Sequence, residues 1–194
     1  QLQYLSVVER NAHRLLRLVG DLLFTAQVES GKFPLDAREV ALNSVVTASI
    51  ETARPIADAA GITLVEETSA VAPVIQGDPV RLGQAVDNLV SNAIKFTPRG
   101  GTVTVRLDVE DGFADVTVSD TGMGIAADEL DQLFSRFFRA TTATRNAVPG
   151  VGLGLTITKA IVTAHHGEMN VESEEGVGTR FRMRLPLARA ASDS

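Results

Sequence analysis

The sequence contains no cysteine, no tryptophan and a single tyrosine. Without cysteine there can be no disulfide framework and no metal site built on thiolates, which suits a reducing compartment. No apolar run approaches the length of a membrane span, and no signal peptide is recognisable at the start. We therefore expect this portion of the protein to be cytoplasmic, with any membrane anchor on segments outside the printed chain.

Clustered positive charge is also missing. The chain has 18 lysine and arginine residues against 24 acidic ones, a formal net charge of −6. Proteins that bind a phosphate backbone need a basic surface, so this balance argues against a nucleic-acid-binding protein. Hydrophobic residues make up 44% of the 194 positions, which is typical of a soluble globular chain with one core, or with a core and an extension.

Residues 1–30 carry apolar residues at alternating spacings of three and four, which predicts a long helix packed in a bundle. The pattern comprises Leu5, Val8, Ala12, Leu15, Val19, Leu22 and Ala26, with Leu16 and Leu23 beside it. A rod of roughly 40 Å, at about 1.5 Å per residue, is not stable alone. We expect it to pair with a missing segment or a second copy. Because the chain opens on Gln1 inside this pattern, we expect a fragment.

The next region predicts a second helix. Asn43 is a good helix cap, and the apolar pattern behind it runs towards Gly61. Pro55 falls inside this pattern, where proline bends or breaks a helix. Beyond it, two short strands are predicted before a third helix begins near Asp78.

The second half of the chain alternates apolar and polar residues in four segments, which predicts antiparallel strands. One pair turns at Asp111-Gly112 and the other around Gly176-Val177-Gly178. Helices and strands in this order predict an α+β fold: a two-layer α/β sandwich with a mixed, mostly antiparallel sheet covered by helices on one face.

A helix that bears two asparagines is the stretch around which the chain is organised. Asp78 can cap its first turn, and Pro79 suits the first helical position. One face is apolar, with Leu82, Val86, Leu89, Val90 and Ala93. The opposite face is polar, with Arg81, Gln84, Asn88, Asn92 and Lys95. Carboxamide oxygens and an ammonium together could hold the cation and the anion of a Mg-nucleotide. On this helix alone, a polar face that is simply exposed to solvent is an equally good interpretation.

A carboxylate at a strand end forms the second candidate site. Side-chain alternation puts Asp120 on the core face of its strand, where it needs hydrogen-bond donors. The amino group of a nucleobase would be such a donor, and the adjacent Gly122 and Gly124 would let a flat ring approach the backbone. The commoner alternative is an Asx turn, in which the carboxylate only caps the local backbone.

A glycine-rich run at residues 150–155 opens a helix predicted over Thr156 to Ala164. Glycines at a helix start present backbone N–H groups to an anion. Its context fits neither a dinucleotide-binding unit nor a P-loop. Residues 140–149 are small, polar and short of anchors, which predicts a mobile lid. The aromatic residues and arginines of residues 133–139 would anchor the lid and meet phosphate charge, or simply end a hydrophobic helix.

Five motifs in this order resemble those of the catalytic ATP-binding domain of bacterial sensor histidine kinases. That domain has the fold of the gyrase, heat-shock chaperone and mismatch-repair ATPase superfamily. The motifs occupy residues 88–97, 120–125, 134–139, 150–155 and 176–181. The resemblance covers residues 34–188. Residues 1–33 resemble the second helix of the family's dimerisation and histidine-phosphotransfer hairpin, and residues 189–194 are expected to form a disordered tail.

The resemblance implies ATP and Mg²⁺ as cofactors and assigns roles to the matching residues. Asn92 would be the protein ligand of Mg²⁺, and Asn88, Lys95 and Arg139 would be the catalytic residues on the phosphates. Asp120 would accept from the adenine amino group. The remaining ATP-binding positions would be Phe96, Gly122, Gly124, Ile125, Gly150, Val151, Gly152, Leu153, Gly154, Leu155 and Thr179. Gyrase-type relatives carry a water-activating Glu in place of Asn88, so its absence favours transfer over hydrolysis.

One family feature is missing, because no His-Glu/Asp-x-Arg/Lys-x-Pro acceptor box occurs in the chain. The histidines are His13, His165 and His166. We interpret His13 as a surface residue of its helix. His165 and His166 end a helix, where positive charge is favourable. The resemblance thus implies an ATP-dependent histidine protein kinase with no phosphoacceptor histidine in this chain, and we do not expect the fragment to phosphorylate itself. Its partners would be an acceptor-histidine helix, a response regulator and, in the full protein, a second copy, with no nucleic acid.

Two other functions stay open. A chaperone-type or repair-type ATPase would use nucleotide to close a dimer, and it would hydrolyse ATP steadily. A nucleotide-sensing dimer module would bind ATP and regulate a response regulator without catalysis. The asparagine at position 88 counts against the first, and the glycine-rich run with Lys95 does not favour the second.

Overall fold

The computed structural model describes residues 19–20, 26, 35–68, 72–145 and 151–188. The chain divides into two units, residues 1–34 and 35–194. The predicted bundle helix therefore lies almost wholly outside the described residues, as do His13, Gly150 and the tail. The second unit contains the predicted sandwich and is treated by itself below.

In the second unit, helices are interspersed with single strands and pairs of strands along the chain. Its elements are β1 (Arg38–Ala41), α1 (Leu42–Ala60), β2 (Thr63–Thr68), β3 (Val74–Gly77), α2 (Pro79–Phe96), β4 (Thr102–Glu110), β5 (Phe113–Asp120), a 3₁₀ helix (Ala127–Gln132), α3 (Thr141–Arg145), α4 (Gly154–Ala164), β6 (Glu168–Glu174) and β7 (Gly178–Pro186).

Five strands form the main sheet in the order β2-β4-β5-β7-β6. β2 pairs parallel with β4, and the other three pairings are antiparallel. β1 and β3 form a separate antiparallel pair. The sheet is therefore mixed and mostly antiparallel, as predicted.

The sheet is covered by helices on one face. Alternate residues of the central strands are buried, among them Val103 and Val105 of β4 and Val116 and Val118 of β5. α1 packs on β2 and β4, α2 on β4 and β5, and α4 on β6 and β7. The predicted two-layer α+β sandwich is confirmed, and its core lies between this sheet face and the three helices.

Helix α2 begins as its sequence predicts. Asp78 Oδ1 accepts hydrogen bonds from the backbone N–H groups of Val80 and Arg81 at 3.0 and 3.2 Å, and Pro79 opens the helix. The whole predicted apolar face is buried, which fixes the direction in which the opposite polar face points. Each fully buried leucine on this face contributes about 1.5–3 kcal/mol by transfer from water.

Helix α1 departs from its prediction in two ways. Its N-cap is Ala41, without a side-chain cap, so the prediction that Asn43 caps it is wrong. The N–H of Leu42 instead donates to the carbonyl of Pro73 at 2.9 Å, so a backbone contact substitutes for a cap. Pro55 lies inside one unbroken helix, because it and Glu51 are exposed and water can take the place of the missing donor. Among the described residues no helix is long and apolar enough to cross a membrane.

Helix α4 ends on a buried histidine. His165 Nδ1 lies 2.8 Å from the carbonyl of Ile161, and its Nε2 accepts the backbone N–H of Asp78 at 2.9 Å. Burial is the largest influence and lowers the pKa of His165. The prediction that positive charge suits this position is therefore wrong for His165, since the ring must be neutral to accept at Nε2. His166 is exposed.

Candidate nucleotide-binding site

The polar face of α2 meets the start of α4. Asn88 Nδ2 donates to the carbonyl of Gly154 at 3.4 Å. A Cβ on Gly154 would lie 3.8 Å from Asn88 Oδ1 and 4.0 Å from Asn92 Nδ2, which is ordinary van der Waals contact and shows that both carboxamides lie beside this residue. The structure therefore brings together two asparagines and a glycine that are more than sixty residues apart in the chain.

The first turn of α4 has no side-chain cap. The helix begins at Gly154, two residues before the predicted Thr156, and its N-cap is Leu153. The N–H groups of such a turn have no intrahelical partner and are suited to bind an anion. Gly152, just before the helix, has φ +78°, and a Cβ there would lie 2.5 Å from the carbonyl oxygen of Phe138. Only glycine fits this position without strain.

The carboxylate of Asp120 is held at the end of β5. Its Oδ1 accepts the N–H of Gly122 at 2.8 Å, and the backbone of Thr179 is a second donor. Burial raises the pKa of Asp120, and these two hydrogen bonds act in the opposite direction. The Gly122 contact is that of an Asx turn, the alternative considered above. An ionised carboxylate has about four acceptor sites, so this turn orients Asp120 and still leaves it able to bind a further donor.

The glycines beside Asp120 are required by the packing of the protein itself. A Cβ on Gly122 would lie 2.5 Å from the carbonyl oxygen of Phe96, and one on Gly124, which has φ +63°, would overlap the carbonyl of Glu174. The loop is also bonded on both sides, since Met123 donates to Phe96 O at 3.2 Å and accepts from Gly176 N–H at 2.8 Å. The loop thus lies between the end of α2 and the β6–β7 turn, a reason for these glycines that the sequence did not suggest.

A hydroxyl pair closes the same end of the site. Thr179 is buried, and its Oγ1 lies 2.9 Å from Ser173 Oγ. Ser173 Oγ also contacts the carbonyl of Gly178 at 2.8 Å and accepts the N–H of Ile125 at 2.9 Å. Ser173 was missed from the sequence. The sequence feature that could have indicated it is a hydroxyl side chain between two glutamates, at a position where the alternation of β6 points the side chain inward.

The other predicted site residues are either exposed at the protein surface or partly to fully buried. Lys95 is exposed, with its Nζ 5.2 Å from the ring centroid of the half-buried Phe96. Arg139 is exposed, and neither cation takes part in the Asn88–Gly154 contact. The remaining described positions range from buried to half-buried: Leu153 is buried, and Ile125, Val151 and Leu155 are half-buried.

The first residues of the predicted lid are anchored. Glu129 Oε1 accepts both the N–H of Thr141, at 2.9 Å, and its hydroxyl. Thr142 Oγ1 donates to Gly124 O at 3.3 Å, and Ala143 is buried. The prediction that the lid lacks anchors is therefore wrong for residues 140–143, because these small side chains fit against the loop that follows Asp120. Residues 146–150 lie outside the described residues.

Comparison with known proteins agrees with this geometry. Residues 77–189 match the family of histidine kinase-, DNA gyrase B- and HSP90-like ATPases. The chain is 37% identical over 188 residues to the circadian input-output histidine kinase CikA of Synechococcus elongatus, covering 96% of this chain and 25% of CikA. It is 37% identical over 183 residues to the sensor histidine kinase RppB of Synechocystis, covering 94% and 40%. The chain thus spans a quarter to two fifths of the length of these relatives.

Two solved structures are also similar. Full-length ShkA in complex with AMPPNP has a TM-score of 0.84 at 31% identity, covering 99% of this chain and 40% of ShkA. The mycobacterial sensor histidine kinase MprB has a TM-score of 0.71 at 34% identity, covering 77% of this chain and 98% of the MprB structure. The sheet order, the asparagine-bearing helix and these matches lead to one conclusion: the chain belongs to the histidine kinase-, DNA gyrase B- and HSP90-like ATPase family and contains the ATP-binding catalytic domain of a histidine kinase.

Proposed function

We propose that the chain binds Mg-ATP between α2 and α4 and transfers the γ-phosphate to a histidine that is not part of this chain. The observation that carries the proposal is the contact between Asn88 and Gly154, at 3.4 Å, with Asn92 beside it. It places two carboxamides beside the first turn of α4, whose backbone N–H groups have no side-chain cap. Carboxamide oxygens suit a hard cation and N–H groups suit phosphate oxygens, so the two halves complement the two parts of a Mg-nucleotide.

Asn92 would ligate Mg²⁺ through its carboxamide oxygen, with phosphate oxygens and water completing the coordination. Among the described residues no group of three or more His, Cys, Asp or Glu side chains could hold a metal ion. A single protein ligand supplemented by phosphate is common for Mg²⁺, so this donor set fits the ion. When bound, the ion would offset negative charge that develops on the transferred phosphoryl group.

The protein would act mainly by placement. Asp120 and Thr179 would hold the base, and Asn88 and the first turn of α4 would hold the phosphates. Lys95 and Arg139 would add positive charge near the reacting group. The γ-phosphorus would then be presented in line with an incoming imidazole nitrogen.

The residue at position 88 supports transfer rather than hydrolysis. Water attack needs a base to take its proton, and a carboxamide such as Asn88 is not one. A histidine nitrogen brings its own lone pair, so a site without a carboxylate at this position can still phosphorylate it. The competing ATPase function therefore has no evident base on the polar face of α2.

The wider setting of the reaction is also a proposal. The relatives named above are histidine kinases and the chain covers less than half of their length, so the acceptor helix would lie in another segment or another copy. We propose that the full protein is a homodimer that relays phosphate to an aspartate of a response regulator. This portion would be on the cytoplasmic side, where ATP is available.

Labelling with γ-³²P-ATP tests the proposal. The chain is incubated alone and with a separate hairpin that carries a histidine acceptor box, and a hairpin with that histidine changed to glutamine is the control. We expect acid-labile label on the intact hairpin only. Steady release of phosphate by the chain alone, without labelling, would favour the chaperone-type ATPase. Tight ATP binding with neither reaction would favour the nucleotide-sensing module.

A further inference from the structure

Ser173 makes three polar contacts at the base end of the site. Its Oγ accepts the N–H of Ile125 at 2.9 Å, lies 2.8 Å from the carbonyl oxygen of Gly178 and lies 2.9 Å from Thr179 Oγ1. The serine therefore links the loop after Asp120 to the first residues of β7. The sequence motifs do not include it.

The protons in this network can be assigned. A serine hydroxyl has one proton and two lone pairs. The carbonyl of Gly178 can only accept, so the proton of Ser173 must point to it. The N–H of Ile125 occupies one lone pair of Ser173, which leaves the second for Thr179. Thr179 is thus the donor in the contact between the two hydroxyls, because the reverse assignment would set lone pairs against each other at 2.8 Å.

This assignment determines what Thr179 can offer to a base. Thr179 and Asp120 are directly paired across β7 and β5, so their side chains lie on the same face of the sheet. With its proton donated to Ser173, Thr179 Oγ1 retains acceptor capacity only. The Asp120 carboxylate is also an acceptor. These two side chains therefore present acceptors and no donor.

We propose that Ser173 is a positioning residue that turns the Thr179 proton away from the base and so selects a 6-amino purine over a 6-oxo purine. A 6-amino group brings two donors to the acceptor pair, whereas a 6-oxo group puts an acceptor at the same position and is repelled. The N1–H donor of a 6-oxo purine lies one ring position away from that group. The inference rests on the proposed role of Asp120 as the partner of adenine. Without Ser173, the Thr179 hydroxyl could rotate and donate to a 6-oxo group.

Titration calorimetry with ATP and with inosine triphosphate, both with Mg²⁺, tests this on the whole chain. The quantity is the ratio of the two affinities. Ser173→Ala should lower the preference for ATP by about three- to tenfold, the size of one ordinary hydrogen-bond contribution. In a Thr179→Val background, Ser173→Ala should leave the ratio unchanged, because no hydroxyl remains to rotate.

The controls separate this inference from the proposed function. Ser173→Thr retains a hydroxyl and should retain the ratio. If Ser173→Ala weakened both nucleotides equally, the serine would only hold the loop and the inference would be wrong. If Ser173→Ala bound neither nucleotide, the affinity ratio of Thr179→Val would decide. A lower preference for ATP in Thr179→Val supports an acceptor-only Thr179, and an unchanged preference overturns the inference. Equal binding of ATP and inosine triphosphate by the unmutated chain would overturn the adenine role of Asp120 as well.

Discussion

The imidazole of His165 accepts the backbone N–H of Asp78 through Nε2 at 2.9 Å, although the two residues are 87 positions apart. Asp78 caps the helix that carries the asparagines, and His165 ends the helix that begins with the glycine-rich run. The contact therefore joins α2 and α4 at the ends remote from the proposed phosphate site. It also makes the relative position of the two helices depend on an uncharged histidine.

We expect the free energy of unfolding to fall in mild acid because of His165. Burial lowers its pKa in the folded protein, whereas the unfolded chain has the ordinary value of about 6.5. Below that pH the unfolded state binds a proton that the folded state resists. The stabilisation is thus fully present above pH ~6.5 and is lost as the pH falls towards the folded pKa, with a slope of up to about 1.4 kcal/mol per pH unit.

Urea unfolding between pH 5.5 and 8 measures this slope. His165→Gln keeps an acceptor for the Asp78 N–H but does not titrate, so the slope should become shallower. His166→Gln, at the exposed neighbouring position, is the matched control and should match the unmutated chain. An unaltered slope in His165→Gln would show that the acid sensitivity arises elsewhere.

Asp120→Asn should weaken ATP binding by about 1–3 kcal/mol, the cost of a poorly matched buried polar contact. Burial raises the pKa of Asp120, and only the ionised form lacks a proton that would face the base amino group. ATP affinity of the unmutated chain should therefore decline in acid at a pH above that expected for an ordinary aspartate. Calorimetry from pH 7 to 5 should find this decline absent in Asp120→Asn. A parallel decline in both proteins would refute the assignment.

Gly124→Ala should destabilise the fold and abolish nucleotide binding. The new Cβ would combine a positive φ with an overlap on the carbonyl of Glu174, which would displace the β6–β7 turn that leads to Thr179. Gly112→Ala is the matched control, because Gly112 has φ +81° and open space around it, and it should cost only about 1 kcal/mol. Thermal unfolding compares the two variants. Equal losses of stability in the two variants would mean that the overlap at position 124 adds nothing to the free-energy cost of the substitution.

Glu129→Ala should loosen the start of the lid. The carboxylate of Glu129 accepts two hydrogen bonds from Thr141, and both are lost on truncation. Hydrogen exchange of residues 140–145 should speed up, and ATP binding should weaken. Asp128→Ala, one position earlier and exposed, should leave exchange unchanged. Slow exchange in Glu129→Ala would show that burial of Ala143 holds the segment without the carboxylate.

The sequence predicts the sandwich well because its strongest patterns are local. Asp78, Pro79 and the apolar face of α2 each act within one helix, and the hairpin turn at Asp111-Gly112 joins adjacent strands. The cap of α1 was predicted wrongly at Asn43 because its substitute, the carbonyl of Pro73, comes from a distant segment. An acceptor supplied from about thirty residues away leaves no trace in a local pattern.

The site was harder to predict than the fold for the same reason. The motifs identify Asn88, Asn92 and Asp120, but not what holds them. Ser173 and His165 act through contacts that exist only after the sheet and helices have packed, and the charge state of His165 depends on burial. Position in a motif therefore indicates which groups we propose to face a ligand, whereas the contacts that support those groups required the structure.

The claim that α2 and α4 hold Mg-ATP is tested most directly by titrating Asn92→Ala with ATP, with and without Mg²⁺. Loss of one oxygen ligand should remove most of the gain in affinity that Mg²⁺ gives, on the order of tenfold, and should leave Mg-free ATP binding nearly unchanged. Ser91→Ala, adjacent on the exposed side of the same helix, should retain the full gain. An undiminished Mg²⁺-dependent gain in Asn92→Ala would contradict the account.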